Sequence, residues 1–517
     1  MLISCYLLLA LLPLVLLIFL RPRLQQRLRN EAPPLRLPPG PWRLPVIGSL
    51  HHLIMNPLKH RVLADLARRC DAPVMYLRLG ELDAVVVSSP DAAREVMKTH
   101  DVTFASRPLN ATARATAAHG LGLVMTPYGE RWRQLRKVCA VELLSAKRVR
   151  SFRPIREDET AQLVADIAAA CPPGGEPVNI TQRLATLITD SSFRAMMGER
   201  FKYRDEFRES LSQMVKIAAG FNVRDMFPSS RLMCGISGTV RKSRAFHRKI
   251  YQLIDYAIDQ HGERKAAGGA AAAAAEDMID VLLRIQKEDS LDYSSLSIGT
   301  IKAVILDLFA GGSETTSTTI SWAIAELMRN PSVMQKVQEE VWHAVQDKSR
   351  VSEDDLVNFH YLKLVIKETL RLHPAAPLLI PRECQEPCQI LGYDVPKGTY
   401  VFVNAWAIGR DPKYWDEPEA FKPERFEGVA FDYSGTDFRY IPFGAGRRIC
   451  PGATFALANI ELNLATLIFH FDWKFPAGVM PGDVDLTEEM GITVRPKRDL
   501  YMHASVRVPL PAREPLI

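Results

Sequence analysis

Apolar positions recur at three- and four-residue spacing over long stretches of the chain. They cover 131–147, 155–171, 205–222, 243–262, 277–288, 297–328, 331–346, 361–373 and 453–469, the pattern of helices with one buried stripe. Runs with strand character are few and short: Val74 to Leu79, Ala84 to Val87, and Tyr400 to Val403. The pattern predicts a mainly α architecture with small β-sheets near both ends. No repeat of fixed period is present. Ala266 to Ala275, alanine-rich around Gly268 and Gly269, separates two helical stretches and is expected to be an exposed loop. No second core-sized unit is visible, so one large domain is expected.

The N-terminus departs from this pattern. Leu2 to Leu20 carries no charge over nineteen residues, a length that spans ~28 Å as a helix. Nothing basic precedes it, whereas Arg21, Arg23, Arg27 and Arg29 follow. A cleaved signal peptide has the reverse arrangement. The expectation is an uncleaved transmembrane anchor at 1–20, with the rest of the chain on the cytosolic side. A basic and proline-rich linker follows at 21–41, and a domain at 42–517. Two glycosylation sequons, at Asn110 and Asn179, then face the cytosol and stay unmodified.

Composition narrows the function. With 517 residues, 47% of them apolar, disorder and disulfide-stapled miniature folds are excluded. The net charge of +6 is too small to argue for a nucleic-acid binder. The eight cysteines are scattered with no CxxC pair, which argues against a zinc ribbon and for reduced thiols. One of them stands apart. In Phe443-Gly444-Ala445-Gly446-Arg447-Arg448-Ile449-Cys450-Pro451-Gly452, glycines on both sides of Cys450 free the backbone to approach a ligand closely. The helix starting at Ala453 aims its positive end at the sulfur, which is expected to lower the thiol pKa. Read alone, the loop suits an exposed nucleophile, a metal ligand, or an inert buried thiol.

Phe443, Gly446, Arg448, Cys450 and Gly452 resemble the FxxGxRxCxG haem signature of the cytochrome P-450 superfamily. Three further motifs fall in that family's order. Glu368-Thr369-Leu370-Arg371, followed by Pro423-Glu424-Arg425-Phe426, resembles its structural Glu-Arg-Arg network of Glu368, Arg371 and Arg425. Trp132 and Arg136 match its WxxxR, and with Arg382 and Arg448 resemble its partners for the haem propionates. Arginine suits that role because its fork binds carboxylates bidentately. Ala310-Gly311-Gly312-Ser313-Glu314-Thr315-Thr316 resembles the (A/G)GxxT segment of the long helix over the haem. Two glycines and three hydroxyls there are poor helix interior and predict a local opening. The resemblance covers the chain from about residue 38 to Lys497 and is that of plant microsomal A-type members.

The resemblance implies a haem-thiolate monooxygenase behind one transmembrane helix in the endoplasmic reticulum membrane. Haem b would be held with Cys450 as the axial iron ligand. Thr315 and Glu314 would be the catalytic pair that relays protons to oxygen. Electrons would come from NADPH through a flavoprotein reductase, with cytochrome b5 as a second donor. Arg131, Arg133, Arg136 and Lys137 would offer that donor a basic face. By the same analogy the pocket draws on 104–124, 211–226, Ala303 to Glu314, Ala376 to Pro381, and Met490 to Thr493. These are mainly aliphatic (Ala117, Ala303, Leu378, Leu379, Ile380, Ile492), with Phe104 and Phe221 among few aromatics. A hydrophobic plant metabolite is expected, a terpenoid ahead of indolic, phenolic or fatty-acid compounds. Two alternatives are an isomerase or dehydratase acting on a hydroperoxide without a reductase, and a non-enzymatic haem-binding membrane protein. Retention of the Glu314–Thr315 pair argues against both.

Overall fold

The computed structural model describes residues 35–510 apart from 111–112, 115–121, 172–174, 220–222, 231–237, 267–275, 289–295 and 492. The expected anchor, nearly all of the alanine-rich patch, and Ala117, Phe221 and Ile492 lie outside these.

The elements used below are helices α1 (Glu130–Lys137), α2 (Arg153–Ala170), α3 (Ile180–Met197), α4 (Ile298–Gly312), α5 (Glu314–Arg329), α6 (Pro331–Val345), α7 (His360–Leu372) and α8 (Ala453–His470). The strands are β1 (Val74–Leu79), β2 (Leu82–Val87), β3 (Arg382–Glu383), β4 (Tyr400–Val403), β5 (Glu488–Met490) and β6 (Val494–Pro496). The helices dominate, and four small sheets flank them. The largest core is shared by α2, α3, α5, α6, α7 and α8. Ile320, Leu327, Val337, Val341, Val365, Leu464 and Leu467 meet there, all buried. Burying one such side chain is worth roughly 1.5–3 kcal/mol, so this is where the stripes read from the sequence converge. Helix α8 is long and apolar enough to cross a membrane, but most of it lies in this core.

Two of the expected helical stretches are subdivided, the second at the opening that the sequence predicts. The stretch 131–147 becomes α1, a π-helical turn at Val138–Leu143, and a short helix at Ala146–Ser151. The stretch 297–328 is interrupted at Ser313, between α4 and α5. Hydroxyls there bond backwards to carbonyls: Ser313 Oγ to Phe309 O at 2.7 Å, Thr315 Oγ1 to Gly311 O at 2.6 Å, and Ser317 Oγ to Ser313 O at 3.1 Å. Side-chain donors thus compete for the carbonyls of the helix ladder, beside two glycines that lend the helix little support.

The main sheet has the order β1-β2-β4-β3. Strands β1 and β2 form an antiparallel hairpin, with Val74 opposite Val87. Strand β4 joins parallel to β2, with Val85 opposite Val401, and this register carries Arg382 of β3 opposite Val401. Part of the expected linker belongs to this body. Arg36 N donates to Asp394 Oδ2 at 2.7 Å, and Tyr76 N donates to Pro39 O at 2.9 Å. Residues 36–39 therefore dock on the main sheet at Tyr76 and on a separate two-stranded sheet at Asp394, and are not a free spacer.

Candidate active site

Cys450 lies in a turn just before α8. Gly444 and Gly446 have φ of 73° and 68°, the left-handed region that favours glycine. At Gly446 there is also no room, since a Cβ would lie 2.2 Å from Met97 O. The turn closes by Cys450 N donating to Phe443 O at 2.9 Å, and the Phe443 ring packs edge-on to Tyr433. The thiol pKa is raised, contrary to the expectation from the helix. Desolvation by the surrounding chain outweighs the Gly452 N–H and the Arg136 charge, which both act downwards. Cys450 nevertheless keeps exposed surface, so the sulfur faces open space from within a dense wall. Across the molecule, a Cβ added at Gly311 or Gly312 would meet nothing within 4 Å. That face of the interrupted helix is open too.

Arginines gather beside the cysteine turn. Arg136 on α1 turns inward to donate to Ile449 O at 2.8 Å. Arg448 donates to Ala105 O at 2.6 Å, Leu123 O at 3.2 Å and Thr126 O at 2.6 Å, and lies over the Trp132 ring. Arg382 donates to Ala445 O at 2.9 Å and pairs loosely with Asp101 at 3.4 Å. Sequence reasoning missed a fourth, Arg107, which donates to Ile380 O and Pro381 O at 2.5 and 2.9 Å. A buried arginine between Ser106 and Pro108 was its only signal. Burial, then mutual repulsion among Arg107, Arg382 and Arg448, pushes Arg107 well below the usual arginine range, and burial lowers Arg136 and Arg382. Arg448 is pushed down to about 9 by burial and by its neighbours Arg382 and Arg136. Among the described residues, the carboxylate paired within this group is Asp101, which Arg447 shares at 3.0 Å.

Two buried donors in the group have no acceptor among the described residues, Trp132 Nε1 and Arg107 Nε. A buried donor left unmade costs about 1–3 kcal/mol. Excess positive charge, orphaned N–H groups and a thiol on open space together fit a flat group with a soft-ligand metal and anionic carboxylate arms, as haem has.

Glu368, Arg371 and Arg425 are also brought together, away from the open space. Glu368 accepts from Arg371 Nε and Nη2, both at 2.7 Å, and from Arg425 Nε at 3.0 Å. Both side chains of the Glu368–Arg371 pair are 0% exposed, which excludes an ordinary surface pair. Arg371 also donates to Gly409 O, Pro418 O and Ala420 O.

Thr315 stands at the helix break with Glu314 before it, and Glu314 Oε1 accepts from Thr493 Oγ1 at 2.5 Å. Of the expected pocket residues, Leu378 and Ala303 are buried and Ile380 is 42% exposed. Phe104 is corrected: it is fully buried in the sheet core with Val85 and Val401 and does not line open space. Of the expected basic face, Arg131, Arg133 and Lys137 are exposed, with Arg131 also donating to Thr300 Oγ1 and Arg133 pairing with Glu130, whereas Arg136 points inward. A second carboxylate that sequence reasoning missed is Asp307 of α4, a lone charge in an apolar run. Its Oδ2 accepts from Val124 N at 2.8 Å, and burial raises its pKa to about 7.

A cytochrome P450 family model matches residues 38–502. The chain is 48% identical to 5-epiaristolochene 1,3-dihydroxylase of Nicotiana tabacum over 91% of this chain and 93% of that one. It is 46% identical to premnaspirodiene oxygenase of Hyoscyamus muticus, again over 91% and 93%. A solved zebra fish cytochrome P450, crystallised with progesterone, shares the fold with a TM-score of 0.74 at 24% identity, covering 87% of this chain and all of that one. The chain therefore belongs to the cytochrome P450 family: it is a haem-thiolate monooxygenase that uses haem iron, electrons supplied by a reductase, and a hydrophobic small-molecule substrate.

Proposed function

We propose that Cys450 would supply the thiolate ligand to haem iron, that Trp132, Arg107, Arg136, Arg382 and Arg448 would hold the two propionates, and that the substrate is a terpenoid hydrocarbon. The observation that carries the site is the arginine group with its two orphaned donors, which no carboxylate among the described residues satisfies. Bound haem supplies oxygen activation and the insertion of one oxygen atom into the substrate. The chain's own residues do the rest. The Cys450 turn presents sulfur with the Gly452 N–H beside it, which steadies its charge. Phe443 packs against that turn. Glu368, Arg371 and Arg425 fix the loop leading into it. Thr315 holds a proton at Oγ1 on the open face of the helix break, and Glu314 supplies the proton behind it. The apolar pocket excludes water and orients the substrate by shape.

The terpenoid reading rests on relatives named for 5-epiaristolochene and premnaspirodiene and on the aliphatic character of Ala303 and Leu378. Residues 1–20 serve as the endoplasmic reticulum anchor and the chain from about residue 36 forms the cytosolic domain, with cytochrome b5 as an auxiliary electron donor. Asn179 supports that sidedness: its amide nitrogen donates to Asp499 Oδ2 at 2.7 Å, so a glycan on it would break a bond of the fold.

The test is the spectrum of the reduced protein with carbon monoxide, followed by turnover of 5-epiaristolochene with reductase and NADPH. A strongly red-shifted Soret band that Cys450→Ala abolishes is expected. A band at the position of histidine-ligated haem would refute the thiolate assignment.

A further inference from the structure

Thr493 sits in the turn between β5 and β6, 179 residues from the helix break in sequence, and is 1% exposed. Its hydroxyl donates to Glu314 Oε1 at 2.5 Å. The turn that carries it is pinned on both sides. Trp322 Nε1 of α5 donates to Val494 O at 2.9 Å, Val494 N donates to Ala375 O at 3.0 Å, and Gly491 N donates to Thr493 O at 2.8 Å. Gly491 lies so close that a Cβ on it would be 3.9 Å from Glu314 Oε1. A flexible glutamate at an interrupted helix has several rotamers open to it, one methylene more than an aspartate would have. Here a buried hydroxyl, flanked by the hydrogen-bonded Gly491 and Val494, selects one.

We propose that Thr493 is a positioning residue for proton delivery, holding the Glu314 carboxylate in the orientation from which it serves Thr315. The inference rests on the proposed role of the Glu314–Thr315 pair. Thr493 does not touch the reacting atoms and acts through Glu314 alone. Removal of its hydroxyl frees the carboxylate to turn away, so a larger share of the electrons leaves as hydrogen peroxide, two per oxygen, and a smaller share carries oxygen on to water, four per oxygen.

The test uses full-length holoenzyme with reductase and NADPH, without added substrate, and reads hydrogen peroxide formed per NADPH consumed. Thr493→Val is expected to raise that ratio at least threefold, towards the value of Glu314→Ala. Thr493→Ser, which keeps the hydroxyl, is expected to recover most of the wild-type ratio, which a packing role for the methyl group would not predict. Melting temperatures of Thr493→Val, Glu314→Ala and the double variant supply a readout apart from turnover. The double variant is expected to melt higher than two independent losses would give. Strict additivity would overturn the inference. So would an unchanged ratio in Thr493→Val where Glu314→Ala raises it, leaving the relay reading intact. An unchanged ratio in Glu314→Ala would bring down the relay reading and the inference with it.

Discussion

Two groups of arginines drawn into the interior, around Glu368 and beside the cysteine turn, are solved in opposite ways. Arg371 and Arg425 share Glu368 and find backbone carbonyls for the rest of their donors. Arg107, Arg136, Arg382 and Arg448 face one another with Asp101 among them, and Arg107 keeps an unpartnered Nε. The first set is complete within the chain. The second is complete only with an anionic group that the chain does not encode. Burial alone therefore does not separate structure from function; the balance of charge and of donors does.

The strongest way to break this comparison is Arg371→Met. It breaks the Glu368–Arg371 pair at 0% exposure and leaves Arg425 as the charged partner of the carboxylate, a loss of about 3–5 kcal/mol for a broken buried pair. Little folded protein is expected on expression, with or without added haem, as measured by soluble yield and circular dichroism. Folded Arg371→Met protein of wild-type melting temperature would erase the distinction.

Asp307 sharpens the comparison from the acidic side. Its pKa in the folded chain is raised to about 7 from an ordinary 3.8. The folded state thus holds the extra proton between those values, and stability contributed by Asp307 is full below about pH 4 and lost as pH rises through about 7. Three pH units at ~1.36 kcal/mol each give up to about 4 kcal/mol. Urea unfolding of Asp307→Asn should lose this slope between pH 5 and 8 and be relatively more stable at pH 8.

Arg136→Met tests the second set directly. In the haem-free chain the melting temperature should stay level or rise, because an uncompensated charge has gone. Haem transfer to apomyoglobin should quicken by roughly tenfold to a hundredfold, the ~1.5–3 kcal/mol of one charged hydrogen bond. Trp132→Phe should have the smallest effect, quickening haem transfer about fivefold, since a single neutral donor worth ~1 kcal/mol is removed. If haem release were unchanged in both, the arginine set would be structural like the first.

Much of this was legible in the sequence. The strand at Val74–Leu79 and the helices α2, α6, α7 and α8 follow from periodicity because each buries one regular stripe. The break at Ser313 was foreseen from Gly311, Gly312 and the hydroxyls around them. The short strands β3, β5 and β6 were missed, since two or three residues carry no period. The roles of Arg107 and Asp307 and the bond of Thr493 to Glu314 were missed for another reason: their partners lie 273, 183 and 179 residues away, respectively. No local pattern announces a bond to a distant backbone. The thiol of Cys450 shows the remaining limit, because its direction is set by how densely the chain packs around it, which spacing does not reveal.

The wiring of the cysteine turn also dictates an order of events. Arg447 reaches Asp101 across 346 residues, Arg448 reaches Ala105 across 343, and Ile449 meets Arg136 across 313. Contacts of such separation form late, after nearer ones have shortened the loops between them. The cradle therefore closes only when both ends of the chain are made and docked. Haem is captured by an almost finished fold and pulls the last step forward by mass action. Cofactor supply during synthesis then governs how much of the chain escapes aggregation.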